Sequence, residues 1–292
     1  MKAVTVPLQQ AVLRWGVEHR RELPWRNTRD PWAVLVSELM LQQTQVARVV
    51  PKWRAFLARF PDPPGCADAA AGEVVTHWAG LGYNRRALHL HQAAIVVTER
   101  HGGRLRADLA ALLALPGVGP YTARAVLAFA FEADHGVRDT NAARVLARTA
   151  GRPLRPAEAQ RAADALVPRG RSWAWNQAVL DLGATVCTAR SPACDRCPVA
   201  ATGLCAWRAA GCPAPDPAVG SAGTSGRQSV FAGSDRQGRG RLVDALRSGP
   251  VTTADLAATL GWPDDPVRAA RVAATVVADG LAVTRGDHLT LP

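Results

Sequence analysis

Cys187, Cys194, Cys197 and Cys205 stand in one short segment, C-TARSPA-C-DR-C-PVAATGL-C. In a chain expected to stay in a reducing compartment, thiols grouped this closely read as metal ligands; disulfides and scattered core cysteines would not cluster so. Zinc and a 4Fe–4S cluster both accept four thiolates. Zinc ribbons favour two CxxC pairs and this segment has one, so a single wrapped loop suits a cubane better. Cys212 competes for the fourth position, and Cys205 is preferred because Cys212 falls in a Pro-rich stretch. Cys66, beside PDPPGC, reads as a lone thiol.

A second constellation lies at 112–130, LLALPGVGPYTARAVLAFA. An apolar helix end runs into Leu115-Pro-Gly-Val-Gly119, and a new helix opens at Pro120, a residue suited to the first helical turn. Gly117, Val118 and Gly119 form a turn that allows close backbone approach. The helix that follows directs N–H groups and its positive end outward, a ready site for a phosphate. This is the signature of a helix-hairpin-helix, a sequence-independent grip on a nucleic-acid backbone. A plain Gly-rich turn between helices is the structural alternative.

The elements that must position these groups are helical. Apolar residues recur at helical spacing over 8–19, 32–42, 44–60, 70–79, 85–100, 107–114, 120–131, 140–149, 156–167 and 172–185. Pro and Gly punctuate the gaps, and alternating strands are absent, so this region is expected to be all-α. Residues 211–228 are Pro, Gly, Ala and Ser with little bulk and read as a linker. Beyond them Gly238–Ser248, a helix capped by Thr252 or Thr253 and ending at Leu260, and Asp264–Ala278 read as three helices. Two strands with a turn at Arg285–Asp287 follow. Three helices and a hairpin describe a small α+β module of the winged-helix type. The expected domains are 1–210, a linker at 211–228 and the module at 229–292. Within the first, a helical lobe at about 29–135 faces a second lobe made of the N-terminal helix, 136–185 and the cysteine loop 187–205.

The chain has 292 residues, enough to bury one large or two modest cores. Its 35 Lys and Arg against 24 Asp and Glu give a formal charge of +11, which favours a polyanionic partner; a GC-rich coding bias toward Arg and Ala is the bland alternative. The N-terminus lacks the apolar core of a secretory signal and no stretch is long enough to span a bilayer. The expectation is a cytoplasmic, nucleoid-associated monomer with no membrane partner.

Together these residues resemble a family. A helix-hairpin-helix, an Asp some twenty residues after its glycines and a downstream four-cysteine loop are similar to the endonuclease III superfamily of base-excision glycosylases. Ser37-Glu-Leu-Met-Leu-Gln-Gln-Thr-Gln-Val46 resembles the adenine DNA glycosylase branch. So do Leu23-Pro-Trp-Arg26, Gly80-Leu-Gly-Tyr83, LPGVGPYTA at 115–123 and Asp139-Thr-Asn-Ala-Ala-Arg-Val-Leu-Ala-Arg148. The resemblance spans roughly 8–210. It implies that Glu38 is a general acid protonating adenine at N7, and that Asp139 stabilises the oxocarbenium-like sugar or attacks its C1′. It implies that Asn141 and Tyr121 orient this pair, that Arg26 contacts the extruded adenine, and that Gln43 and Tyr83 wedge into the duplex. The four cysteines then hold a 4Fe–4S cluster.

The chemistry asks for these types. Adenine leaves poorly unless protonated, and breaking its bond builds positive charge on the sugar, so one carboxyl must give a proton while another stays ionised. Glu38 lies in an apolar run, which favours its protonated form; the alternative is a solvated helix residue. Asp139 heads a helix and is also a candidate N-cap. Tyr121 stands where bifunctional relatives carry a Schiff-base Lys, and tyrosine forms no imine, so base removal without strand cleavage is expected. The target base must leave the stack to be reached.

The sequence departs from the family in places. The last cysteine gap holds seven residues where five are usual, Asn84 follows Tyr83 where a second Tyr is common, and Thr140 follows Asp139 where Gly is common. The tail is too short for a Nudix-like domain that reads 8-oxoguanine. Thr44 and Leu81, near the wedge, are candidates to supply part of that recognition. The expected partner is double-stranded DNA with adenine opposite 8-oxoguanine or guanine. A thymine or uracil mismatch glycosylase of the same superfamily and a non-catalytic DNA-binding module with a zinc knot are the competing readings.

Overall fold

The computed structural model describes residues 2–223 and 230–292, with side chains from Val6 onward. In chain order the helices are α1 (Lys2–His19), α2 (Pro31–Leu41), α3 (Val46–Arg59), α4 (Pro63–Ala67), α5 (Ala71–His77), α6 (Arg85–His101), α7 (Leu109–Leu113), α8 (Pro120–Ala130), α9 (Thr140–Ala150), α10 (Pro156–Leu166) and α11 (Ser172–Thr185). Two short helices, α12 (Pro198–Ala201) and α13 (Ala206–Ala209), shape the cysteine loop, and α14 (Asp235–Leu246), α15 (Leu256–Leu260) and α16 (Pro266–Ala278) build the C-terminal module. The ten helices expected before residue 186 are all present. The short α4 was not foreseen: Asp62 caps it by accepting from Gly65 N at 2.8 Å, and Pro63 opens its first turn.

The chain divides into two compact units. The first holds the described residues of 1–34, 107–110 and 118–227; the second holds those of 35–106, 111–117 and 228–292. The first unit packs α1 against α11 closely, because Gly16 leaves room for Ala178: a Cβ on Gly16 would stand 2.5 Å from the Ala178 Cβ. Val12, Trp15, Val145, Trp175, Leu182 and Trp207 form its core. In the second unit Phe56 meets Phe60 at 4.9 Å between ring centroids and Trp78 edge-on at 6.0 Å, with Leu39, Met40, Leu90 and Val97 also buried.

The expected lobe at about 29–135 is therefore smaller than supposed, since α8 belongs to the first unit. The linker expectation also changes. Residues 213–223 lie against α9: Asp216 receives the Arg148 guanidinium at 2.6 Å, Ala218 is buried, and Gly223 O accepts from Arg144 at 3.1 Å. Apolar bulk is scarce there, but Arg144 and Arg148 hold the segment by its carboxylate and a carbonyl, a signal that periodicity does not carry. The remainder of the expected linker, 224–228, and residue 229 lie outside the described residues.

The module has the expected three helices and hairpin, plus a strand the sequence reading took for a helix start. β1 (Val251–Thr252) pairs antiparallel with β3 (His288–Thr290), and β3 pairs with β2 (Val283–Arg285), in the order β1-β3-β2. Thr252 lies in β1 and Asp255 precedes α15, so neither threonine caps that helix. The module is not a separate body but part of the second unit. Arg247 donates to Val75 O at 3.1 Å and to Asn84 Oδ1 at 2.9 Å, and Gly72 N donates to Pro292 O at 2.8 Å. No helix among the described residues is long and apolar enough to cross a membrane.

Candidate active site and cysteine loop

In the second unit Glu38 sits on α2 with its side chain enclosed. The residue is 5% exposed, and Leu35, Val36, Ser37, Leu39 and Met40 around it are fully or nearly fully buried. The solvated alternative for Glu38 is thereby excluded. Two loops follow from this core. Gln43 and Tyr83, the wedge candidates, are both exposed and both in the left-handed backbone region, at φ 55° and 46°. Bulky residues adopt that conformation only when the surroundings impose it, and such strain gathers at functional sites.

What imposes it is Arg86, a residue the sequence reading passed over. Its Nη1 donates to Leu39 O at 2.7 Å, Met40 O at 3.0 Å and Gln42 O at 2.6 Å. Its Nη2 donates to Thr44 Oγ1 at 3.1 Å, Leu81 O at 3.1 Å and Gly82 O at 3.0 Å. The guanidinium thus satisfies carbonyls left over at the C-terminal end of α2 while tying the Gln43 loop to the Tyr83 loop. Burial pulls the Arg86 pKa down to about 10. The run Asn84-Arg85-Arg86 after Gly80-Leu-Gly-Tyr offered the signal, because an Arg beside a Gly-rich loop is a donor fork beside open carbonyls.

The same network holds Thr44 and Leu81. The Thr44 hydroxyl donates to Leu81 O at 3.2 Å, and the Leu81 side chain is buried. Both residues stitch the loops together.

The hairpin has the expected form. Gly117 takes φ 76°, and a Cβ there would stand 2.6 Å from the His89 Cβ, so only glycine fits. Val118 is buried, and Gly119 precedes Pro120 without a side-chain cap. Tyr121 follows in the first turn of α8, half-buried.

In the first unit Asp139 is the N-cap of α9. Its Oδ1 accepts from Ala142 N at 2.7 Å and its Oδ2 from Asn141 Nδ2 at 2.8 Å. Burial raises its pKa, and these hydrogen bonds with the nearby Arg144 oppose the rise. Arg144 extends the chain: Nη2 donates to Asn141 Oδ1 at 2.8 Å and to Gly183 O at 2.7 Å, and Nε donates to Cys187 O at 2.7 Å. Gly183 is needed here, because a Cβ would stand 2.7 Å from the Asn141 Cβ. Asp139, Asn141 and the first cysteine are thus joined by one arginine, a link that sequence reasoning did not find.

Arg26 is held by a buried carboxylate. Nη1 and Nη2 grip Asp181 at 2.6 and 2.9 Å, and Nη1 also donates to Arg21 O at 2.8 Å. Arg21 adds Nε to Asp181 Oδ1 at 2.6 Å. Both Arg26 and Asp181 are buried, so Arg26 pins the turn at Pro24–Arg26 to α11. Although burial works in the other direction, the Arg26 and Arg21 guanidiniums hold the Asp181 carboxyl below its ordinary value. A depressed carboxylate stabilises the fold above its unfolded pKa, about 3.9, and loses that contribution as pH falls through the lower folded value. Denaturant stability measured downward from pH 6 is expected to decline below about pH 4, with a shallower decline in Asp181→Asn.

Cys187, Cys194, Cys197 and Cys205 line one cavity with Arg148 and Trp207. Among the described residues no three His, Cys, Asp or Glu side chains converge tightly enough for a single ion. Arg148 Nη1 donates to Cys187 Sγ at 3.3 Å, the kind of outer hydrogen bond that tunes such a ligand. Without a metal, burial pushes the thiols of Cys187, Cys194 and Cys205 up, Cys194 to about 11. Cys212 packs beside this group, with Arg208 Nη1 at 4.0 Å from its sulfur, but does not line the cavity. Cys66 is fully buried elsewhere, its thiol pushed up to about 12.

Comparison with known proteins agrees with this arrangement. The profile of HhH-GPD superfamily base excision DNA repair proteins matches residues 36–169, and that of the iron-sulfur binding domain of endonuclease III matches 187–202. The second match stops short of Cys205, where the longer cysteine gap displaces the last thiol. An adenine DNA glycosylase of Mycolicibacterium smegmatis is 42% identical over 94% of this chain and 92% of its own. A thymine/uracil-DNA glycosylase of Pyrobaculum aerophilum is 39% identical over 66% of this chain and 88% of its own. The solved structure of a thermostable thymine-DNA glycosylase superposes with TM-score 0.68 at 29% identity, covering 72% of this chain and 98% of that one. The chain has a 4Fe–4S cluster, and it is a DNA-binding hydrolase of N-glycosyl bonds that belongs to the adenine DNA glycosylase family of base-excision repair.

Proposed function

We propose that the substrate is adenine opposite 8-oxoguanine or guanine in duplex DNA, and that the protein acts as a monomer removing the base without cutting the strand. The observation that carries this reading is Glu38: a carboxyl enclosed on α2 in a family whose reaction needs a proton donor. Glu38 gives its proton to adenine N7, the C1′–N9 bond breaks, and adenine leaves neutral. The Asp139 carboxylate, fixed as the cap of α9 and oriented by Asn141, stabilises the positive sugar or bonds to C1′. Water then adds its oxygen at C1′ and returns a proton to Glu38.

Tyr121 is a polar neighbour on the hairpin that carries no amine, and Gly117, Val118 and Gly119 receive a backbone phosphate. Gln43 and Tyr83 enter the stack, with Thr44 and Leu81 holding their loops. Arg26, at the turn it pins, contacts the extruded adenine. When bound by Cys187, Cys194, Cys197 and Cys205, the cluster supplies a rigid crosslink of the loop that carries the Arg144 and Arg148 contacts.

The test is a glycosylase assay on duplexes with A opposite 8-oxoguanine, A opposite G, and T opposite G. Adenine is released from the first two and thymine is retained. Failure on both adenine substrates overturns the reading. The resemblance to a thymine/uracil glycosylase makes the third arm decisive for that second reading. Borohydride added during turnover is expected to trap no appreciable enzyme–DNA adduct, since Tyr121 cannot form an imine. Trapping in good yield would count against base removal alone.

A further inference from the structure

The cysteine loop of the first unit ends beside a fifth thiol that a four-thiolate cluster does not need. Cys187, Cys194, Cys197 and Cys205 line the cavity and Cys212 does not. Cys212 nevertheless packs, half-buried, against the same apolar core as those four. Its place is imposed from both sides. The Cys212 N–H donates to Trp207 O at 2.9 Å, and the buried Trp207 ring donates through Nε1 to Pro213 O at 2.9 Å. Between these two bonds Cys212 takes the left-handed conformation at φ 58°, which a residue with a Cβ adopts only when its surroundings hold it there.

Two observations direct this thiol toward Cys194. One guanidinium spans the two segments: Arg208 Nη1 stands 4.0 Å from Cys212 Sγ while its Nη2 donates to Asp195 Oδ1 at 2.9 Å, and Asp195 directly follows Cys194. Among the sulfurs whose charge acts on Cys194, Cys212 is the strongest, ahead of Cys187 and Cys197. At Cys205 the order is reversed, with Cys212 behind Cys197 and Cys187. A spare fourth ligand would couple most strongly to Cys205, the thiol that the long gap displaces, whereas Cys212 couples most strongly to Cys194. Cys212 is also flanked by the exposed Gly211 and Pro213, which opens it to a small solute from outside the cavity.

We propose that Cys212 is a resolving thiol for Cys194: once a peroxide has stripped the cluster, the two close a disulfide that spares Cys194 from irreversible oxidation and leaves the loop able to take up a new cluster. The step balances in two parts. The Cys212 sulfur attacks one peroxide oxygen, the O–O bond breaks, and the departing hydroxide takes up the thiol proton as water, leaving a sulfenic acid. The Cys194 sulfur then attacks the sulfenic sulfur, the S–O bond breaks, and the second hydroxide leaves as water with the Cys194 proton. The two thiols together give up two electrons and the peroxide is reduced to water. Without a second thiol in reach, a sulfenic acid goes on to sulfinic and sulfonic acids, which dithiols do not restore. The inference requires the cysteine loop and its cluster, and is independent of which base is excised.

The test starts from the full chain with its cluster and adds hydrogen peroxide until the visible absorbance of the cluster is lost. Free thiols are then blocked with N-ethylmaleimide and the protein is digested with trypsin. Cleavage after Arg190, Arg196 and Arg208 puts Cys187, Cys194 and Cys212 on separate peptides and Cys197 with Cys205 on another, so mass spectrometry reads each pairing directly. A Cys194–Cys212 link is expected as the predominant disulfide, and dithiothreitol with ferrous iron and sulfide is expected to restore most of the original iron. Cys212→Ser is expected to carry as much iron as the wild type when isolated. After the same treatment it is expected to hold Cys194 as sulfinic or sulfonic acid and to lose most of its capacity to reload. Cys212 recovered free, or linked to a cysteine other than Cys194, would overturn the proposal. So would a Cys212→Ser variant that reloads as fully as the wild type, or one isolated short of iron, because Cys212 would then be a ligand of the cluster.

Discussion

Glu38→Gln is expected to reduce single-turnover adenine release by about 10²- to 10⁴-fold, the usual weight of a general acid, while leaving DNA affinity near that of the wild type. Glutamine has the shape of glutamic acid and no proton to give. Its enclosure among Leu35, Val36, Leu39 and Met40 means that the substitution exchanges one buried polar group for another of the same volume. Thermal stability should therefore hold, which separates lost chemistry from lost fold. The readout is the rate of alkali-labile site formation with enzyme in excess over an A opposite 8-oxoguanine duplex. An undiminished rate would remove Glu38 from the mechanism. Asp139→Asn makes an informative companion, because asparagine caps a helix as well as aspartate does and so isolates the charge from the cap.

The second large effect is expected at Arg86. Arg86→Ala strips donors from six carbonyls, those of Leu39, Met40, Gln42, Leu81, Gly82 and Tyr83, and from the Thr44 hydroxyl. A buried acceptor left without a partner costs about 1–3 kcal/mol. Water can reach the exposed side of the loops, so the expected loss is about 4 kcal/mol, well short of the sum and still exceptional for one substitution. Arg86→Lys keeps the charge but has no planar fork to serve two loops at once. It should retain more stability than alanine while weakening DNA binding, since Gln43 and Tyr83 would relax from their left-handed conformations. Urea denaturation of both variants gives the stability. A lysine variant with wild-type binding would show that Arg86 supports the fold without shaping the wedge.

The helices, the hairpin and the cysteine loop could be read from the chain because each depends on local chemistry. Apolar spacing marks helix faces, Pro120 after Gly119 marks a helix start, and four thiols mark a ligand set. Asp139 as a cap was legible for the same reason. What escaped were interactions at long sequence separation. Arg86 meets carbonyls more than forty residues away, and no periodicity announces a backbone acceptor. The Arg26–Asp181 pair escaped because Asp181 lies 155 residues downstream in an apolar helix. The segment after residue 211 looked like a linker because its composition lacks bulk, whereas its attachment depends on Arg144 and Arg148 from α9. The strand β1 is two residues long, too short to show alternation.

Helix α9 carries Asp139 at its head, Arg144 one turn on, and Arg148 a turn beyond that, against Asn141, Cys187 O and Cys187 Sγ respectively. One rigid rod thus serves both the carboxylate and the cysteine loop. Specific activity per milligram consequently reports two quantities at once, the competence of the carboxylate and the fraction of molecules carrying iron. Comparisons between preparations or variants become meaningful only after normalising to iron content, and a substitution that merely impairs cofactor loading would otherwise pass for a defect in catalysis.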